Sequence, residues 1–366
     1  MSGWVEIDLA AIAHNLSEIR KVIGRERKIM PVIKADAYGH GLIPVAQVLA
    51  REGVDFLAVS YVHEGVELRR AGIDLPIVIL LGVLPCEIEA LFNYQLIPVV
   101  YRLEVARNLS QEAQKKGEVL PIFVKIDTGM GRLGVYYKEA ISFLKEIKRL
   151  KGIKIEGITS HLAVAETDRE FTQRQFRRFE DIVRVAQAEG LVLKCNHIAN
   201  SAGALMYAQK FPVIRPGLTI YGVYPTTSLK RKLNLKAVMS FKTRIVYIRW
   251  LPSGVGVSYG HTFVTSRDTK VAVLPIGYDQ GLFRQLSNRG EVLICGKRVP
   301  IIGTICMHLT MVDITEIEDV TIGDEVVILG RQGKEEITAE EVAAKAGTIS
   351  YDVLCRIGRG NPRIYV

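Results

Sequence analysis

The stretch Ile29-Met-Pro-Val-Ile-Lys34-Ala-Asp-Ala-Tyr38-Gly-His-Gly41 places an amine where chemistry can use it. Ile29, Val32 and Ile33 form a short apolar run of the kind that makes a strand buried on both faces. The run stops at Lys34, a glycine-containing loop follows, and a helical pattern opens at Leu42 with Pro44 in its first turn. Lys34 is therefore expected at the carboxyl end of a buried strand, where α/β folds keep their reactive groups. Partial desolvation there lowers a lysine's pKa and frees the amine for Schiff-base formation with a carbonyl compound. A lysine alone in that position more often snorkels out to water. The assignment thus depends on what the rest of the chain supplies.

Such a lysine needs a barrel or an open sheet around it. Strand-like apolar runs occur at 29–33, 56–59, 77–80, 97–100, 120–126, 155–160, 193–198 and 213–215. Helical patterns separate most of them, for example 140–150. The stretch opened by the capping box Thr167-Asp-Arg-Glu170 is another, and it stops at Gly190. Eight strands with helical crossovers predict a (β/α)₈ barrel. The open doubly wound alternative lacks its G-x-G-x-x-G after the first strand. Near residue 225 the pattern changes. Pro225-Thr-Thr-Ser-Leu-Lys-Arg-Lys reads as a linker, and β-branched runs follow at 238–250, 271–276, 291–294, 299–302, 310–314 and 325–329. One helix interrupts them, opened by Thr338-Ala-Glu-Glu341 and closed near Gly347. The expected domains are a barrel at 1–228 and a mainly-β domain at 229–366. The first ten residues carry a stray strand, 4–8, that could pair with the second domain.

Bulk properties narrow the class. The 366 residues, 48% hydrophobic and 24% charged, suit two soluble domains. No apolar run is long enough to span a membrane, and the N-terminus lacks the pattern of a signal peptide. The five cysteines (Cys86, Cys195, Cys295, Cys306 and Cys355) are scattered without C-x-x-C spacing. That argues against a disulfide framework or a metal site and for a cytoplasmic compartment. The net charge of +9 is spread among acidic neighbours, as in Arg174, Arg177, Arg178, Glu180 and Asp181, rather than gathered in a nucleic-acid-binding patch. It still favours an anionic cofactor or substrate.

Further stretches carry polar groups in order along the chain: Lys125-Ile-Asp-Thr-Gly-Met-Gly-Arg132, His161, Cys195-Asn-His197-Ile-Ala-Asn200-Ser201 and Arg215-Pro-Gly217-Leu-Thr-Ile220-Tyr-Gly. The β region adds Val257-Ser-Tyr259-Gly, Gly277-Tyr278, Cys306-Met307 and Ser350-Tyr351-Asp352. With VIKADAYGHG, this ordered set over nearly the full length resembles alanine racemase, a fold-type III pyridoxal-phosphate enzyme family.

The resemblance implies an isomerase that interconverts L- and D-alanine with pyridoxal 5'-phosphate and supplies D-alanine for peptidoglycan. It implies Lys34 as the cofactor's amine. Tyr38, Ser201 and Tyr351, with backbone N–H groups at Gly217 and Ile220, would hold the phosphate, and Asn200 would stand beside them. Arg215 would face the pyridine nitrogen. A guanidinium stays charged, so it cannot accept the ring's proton, and the ring stays a weak electron sink. Lys34 would serve as acid/base on one face of the substrate and Tyr259 on the other. A tyrosine of ordinary pKa ~10 is a poor base, so His161, His197 and Arg215 are the implied cationic network that lowers it. Arg132 would bind the cofactor's phenolic oxygen and the substrate carboxylate, Met307 the carboxylate through its N–H, and Tyr278 would line the entrance. Lys125 matches a lysine that is carbamylated in some relatives and there orients the arginine. No metal, nucleic acid or membrane is implied. The partner is a small amino acid, and the assembly a homodimer in which Tyr259, Tyr278 and Met307 complete the other copy's site.

Two departures from the family pattern stand near the entrance: His308 replaces the usual aspartate, and Gly277-Tyr-Asp-Gln-Gly281 replaces Gly-Tyr-Ala-Asp-Gly. They leave open a racemase for serine or a broader range of amino acids. A fold-type III decarboxylase would place a carboxylate where Arg215 stands, and a cofactor carrier made of the barrel alone would have no Tyr259.

Overall fold

The computed structural model describes residues 3–207 and 211–366. Met1 and Ser2, which open the segment expected to reach the β domain, lie outside the described residues.

Eight chain segments pair side by side and close on themselves. Leu57–Val59, Ile77–Ile79, Leu96–Val100 and Leu120–Asp127 run parallel in sequence order, and Ile153–Thr159 joins the last of them. The ring continues through the bridge Thr159↔His197. The Arg215 N–H then donates to the Ala199 carbonyl at 3.1 Å. Closure comes where Lys28–Ile29 pairs with Val213–Ile214 and Val32 bridges Ala58. This is the expected (β/α)₈ barrel. Two of its strands are irregular: 193–198 contributes one bridge, and 29–33 has a regular ladder only at Lys28–Ile29, with single bonds from Met30 to Ile214 and from Val32 to Pro216 beyond it. Pro31, Pro212 and Pro216 lie in or beside these ladders and lack the N–H that a continuous ladder needs.

From Met239 onward the chain is mainly β. One sheet runs in the order Lys297–Pro300, Glu291–Ile294, Glu325–Gln332, Met239–Arg244, Gly3–Ile7, Arg363–Tyr365. The N-terminal strand does cross to this region, antiparallel to Met239–Arg244 and parallel to Arg363–Tyr365. The strands Gly3–Ile7 and Arg363–Tyr365 therefore both lie in the β layer, with the barrel between them in sequence. The run read as one strand over 238–250 is two, Met239–Arg244 and Tyr247–Leu251. At Ile245 and Val246 the backbone N–H groups switch from the Asp324 carbonyl to the Val273 carbonyl, so the chain changes sheets there.

Three further expectations need correction. The helix Arg169–Ala188 is capped by Asp168, whose Oδ1 accepts the Phe171 N–H at 2.9 Å, not by Thr167. Both residue types cap well, and sequence alone cannot choose between adjacent candidates. The helix Ala339–Ala346 carries the expected Thr338 cap, but a second helix, Ser350–Gly360, follows it. Its two glycines hid it from propensity. The segment read as a linker contains the turn Thr227–Arg231 with Leu229 buried, and Leu233 just after it is buried too. One apolar core runs unbroken from the barrel into the β layer, so the two parts are fused rather than hinged.

Candidate active site

Lys34 opens a turn that few sequences adopt. Ala35, Asp36, Ala37 and Tyr38 have φ values of 55°, 57°, 52° and 54°. A left-handed turn of non-glycine residues costs roughly 1–2 kcal/mol at each position. The glycine loop expected directly after Lys34 begins only at Gly39. Surrounding groups hold the turn. Glu64 Oε1 accepts the Ala35 N–H at 2.6 Å, and Asp36 Oδ1 accepts the Leu42 N–H at 2.7 Å. The other Asp36 oxygen pairs with Arg363, near the opposite end of the chain. His40 Nδ1 lies 2.9 Å from the Ala37 carbonyl and 3.1 Å from that of Tyr38, so Nδ1 carries the proton. Gly39 meets the helix Ser350–Gly360: a Cβ there would stand 2.6 Å from the Leu354 carbonyl oxygen.

Cations gather at the carboxyl ends of the strands. Burial lowers the Lys34 pKa, and the Arg132 and Arg215 charges lower it further, against opposition from Glu64 and Cys355. Lys125 stands in the strand Leu120–Asp127, close to its carboxyl end. Burial, then Arg215, Arg132 and Lys34, pull its amine down to about 7. Asp127 accepts the N–H groups of Gly129, Met130 and Gly131 at 2.8, 2.8 and 2.9 Å, and so shapes the loop that carries Arg132.

Arg215 is buried and fully engaged. Its guanidinium donates to Thr159 Oγ1 at 2.8 Å, to the Ser160 carbonyl at 2.7 Å and to the His197 carbonyl at 3.3 Å. It also lies 3.2 Å from His161 Nδ1. Since the guanidinium can only donate, Nδ1 is the acceptor there. His197 Nδ1 is 2.9 Å from the Cys195 carbonyl, and its Nε2 is buried without a partner. Burial first and Arg215 second hold both imidazoles well below their ordinary pKa. The expected cationic network is therefore corrected: both histidines are neutral at pH 7, and Arg215 alone carries the charge.

A second group of polar atoms lies beside Lys34. The Tyr38 ring packs 5.6 Å from the Tyr351 ring, which the missed helix delivers. Burial raises both phenols, Tyr351 to about 12. Ser201 Oγ accepts the Gly217 N–H at 2.9 Å. A Cβ at Gly217 would come within 2.9 Å of the Tyr38 hydroxyl, so the missing side chain leaves a cradle between them. The Ile220 N–H donates to the Gly217 carbonyl, and the Asn200 side chain caps its own helix at the Gly203 N–H. Both are thus already partnered within the fold.

The β-region residues stand apart. Tyr259 is 72% exposed, and Tyr278 and Met307 are exposed with it. The Asp279 N–H donates to the Met307 carbonyl at 3.1 Å, and the Gln280 amide bridges Asp279 and His308 at 2.9 and 3.1 Å. The charges that act most on Lys34 come from Arg132, Glu64, Cys355 and Arg215, none of them from this cluster. Sequence reading also missed supporting residues. Glu64, Asp36 with Arg363, and Gln175, whose amide donates to the His161 carbonyl at 2.9 Å, are ordinary polar residues on helices or loops. Only the buried position of Glu64 beside a strand end could have drawn attention, and burial is not legible in one sequence.

A reactive amine, two further cations and an arginine fork, with Glu64 and Asp127 as the nearby carboxylates, define a barrel pocket for an anionic compound that a lysine can hold through a carbonyl carbon. Residues 7–225 match the family described as alanine racemase, N-terminal domain, and residues 238–365 its C-terminal domain. The chain is 45% identical to the alanine racemase of Halothermothrix orenii over 99% of its own length and 96% of that protein's. It superposes on the alanine racemase of Clostridium difficile 630 with a TM-score of 0.93 at 36% identity, covering 100% of this chain and 96% of that one. For the Bartonella henselae alanine racemase, described with covalently bound pyridoxal phosphate, the values are 0.88, 28%, 100% and 99%. The chain belongs to the alanine racemase family, which depends on pyridoxal phosphate.

Proposed function

We propose that this protein interconverts L- and D-alanine with pyridoxal 5'-phosphate, and that its D-alanine serves peptidoglycan synthesis in the cytoplasm. The observation that carries the reading is the Lys34 amine, depressed by burial and by Arg132, at the mouth of the barrel. When bound, the cofactor delocalises the electron pair left by loss of the α-proton. Lys34 would hold the cofactor through its carbonyl carbon. Tyr38, Ser201 and Tyr351 would hold its phosphate at the Gly217 cradle. Arg215 would stand at the ring nitrogen, its fork fixed against rotation by its four contacts. Arg132, on the loop organised by Asp127, receives the substrate carboxylate together with Met307.

Two proton carriers are required, because the two faces of a planar centre cannot be served from one side. Lys34 would hold or move the proton on one face and Tyr259 on the other. Tyr259, Tyr278 and Met307 are all exposed on the β region, and Tyr259 and Tyr278 are absent from the charges that act most on Lys34. We assign them to the site of a second copy in a homodimer. The division into barrel and β domain falls at 228/229. Among the described residues no helix is long and apolar enough to cross a membrane.

The test is conversion of L-alanine, followed by chiral chromatography on cofactor-loaded protein, across a panel that includes serine and longer side chains. Appearance of D-alanine at rates above the other products supports the reading. Retention of pure L-alanine by the loaded protein refutes it.

A further inference from the structure

Glu64 belongs to the barrel unit next to that of Lys34, at the third position of the helix Val62–Arg70, and is only 6% exposed. Its Oε2 accepts the Ser60 and Tyr61 N–H groups at 2.8 and 3.0 Å. That much is what an early helix carboxylate does for its own turn. Its Oε1 turns the other way and accepts the Ala35 N–H at 2.6 Å, across to the neighbouring unit. Ala35 follows Lys34 directly and is the first of the left-handed residues. Nothing in the helix requires this third bond. It satisfies a first-turn donor, two residues past the cap position Ile33, that its own segment leaves without a partner.

We propose that Glu64 is a positioning residue of the racemase reaction: through the Ala35 N–H it holds the left-handed turn and so aims the Lys34 amine into the barrel mouth. The inference rests on the reading of Lys34 as the cofactor's amine. The carboxylate form matters. Three N–H groups converge on two acceptor oxygens, and a glutamine has one oxygen and an NH₂. Either orientation of that amide faces a donor with a donor. The charge matters as well. Around Lys34, Arg132 and Arg215 disfavour the ammonium form, while Glu64 and Cys355 favour it. Removing the Glu64 charge tilts that balance toward the free amine.

The experiment compares wild type, Glu64→Gln, Ala35→Gly, the double variant and Ala35→Val. It reads racemisation and, separately, the rate at which added pyridoxal phosphate becomes covalently attached to cofactor-stripped protein, trapped with borohydride across pH. Glu64→Gln is expected to lose about tenfold or more in kcat and in attachment rate, the scale of one charge-assisted hydrogen bond, with KM little changed. The acid limb of its attachment profile moves to lower pH, because the anion that helped hold the Lys34 proton is gone. Ala35→Gly accepts positive φ freely and restores most of the loss in the double variant. Ala35→Val, whose β-branched side chain resists positive φ, reproduces the loss with the Ser60 and Tyr61 bonds intact. It stands in if Glu64→Gln fails to fold. Wild-type attachment rates in Ala35→Val, an unmoved acid limb in Glu64→Gln, or no rescue by Ala35→Gly would each overturn the proposal. Peptide mapping of the wild-type adduct separates the two layers. A label on a lysine other than Lys34 overturns both readings, whereas a label on Lys34 with unchanged variant kinetics overturns only the role of Glu64.

Discussion

Lys125→Met is predicted to make the cofactor-stripped protein more stable, and by an amount that depends on pH. In the fold the Lys125 amine titrates near 7, whereas an unfolded lysine titrates near 10.5. Between those values the unfolded chain binds a proton that the folded chain does not, so wild-type stability falls as pH is lowered through that window. Each pH unit is worth ~1.4 kcal/mol. At pH 8 the amine therefore costs the fold ~3 kcal/mol, and near pH 10.5 almost nothing. Methionine keeps the length of the side chain and removes the titration. The variant should exceed wild type by ~3 kcal/mol at pH 8, with the gap closing as pH approaches 10.

Urea unfolding of both proteins in CO₂-free buffer, at intervals from pH 7.5 to 10, measures the gap directly. A gap that is absent, or flat across this range, would refute the claim that Lys125 is desolvated among Arg132, Arg215 and Lys34. A control with bicarbonate adds a second reading. Attack of the neutral amine on CO₂ forms an N–C bond and releases a proton, leaving an anion beside Arg132. In bicarbonate the wild type should then recover stability relative to Lys125→Met, and intact mass should show the added CO₂.

Lys34→Ala should abolish racemisation and covalent cofactor, and borohydride treatment of the wild type should label the peptide containing Lys34. Arg215→Lys should lose ~3 kcal/mol in urea unfolding, because one ammonium cannot serve both the Thr159 and the Ser160 sides of the fork; an unchanged midpoint would show that the fork is not needed. Mixing Lys34→Ala with Tyr259→Phe, each nearly inactive, should restore about half of wild-type activity per heterodimer. Failure to recover activity, with exchange proven by a label, would put both bases on one chain.

Much of this was legible in the sequence because local signals agreed with the fold. The barrel strands are apolar runs of the right length, and the Thr338 cap and the crossing N-terminal strand follow from simple patterns. The Lys34 stretch was placed correctly, but its left-handed turn was not. No propensity marks Ala-Asp-Ala-Tyr for positive φ, since that conformation is imposed by Glu64, Arg363 and the helix Ser350–Gly360 from distant parts of the chain. The charge states of His161 and His197 failed for a related reason. Their neutrality comes from burial beside Arg215, and burial emerges only from packing. The sequence read residue types well, and what it lacked was the environment that decides their protonation.

That environment also bears on why two copies should be needed. The terminal helix and strand of the β region grip the lysine turn from outside, through Arg363 on Asp36 and Leu354 against Gly39. The shared core then fixes most of the β region to that same flank, Leu274, Ile276 and Ile305 included, while Val257 near Tyr259 packs in a small separate cluster. A domain so attached is not free to swing Tyr259 over its own barrel mouth, and Tyr259 is left exposed. The contacts that hold the Lys34 turn thus also fix the region that carries Tyr259. We infer that Tyr259 must meet a Lys34 of another chain, and that loosening the grip would cost the first base its aim before it gained the second.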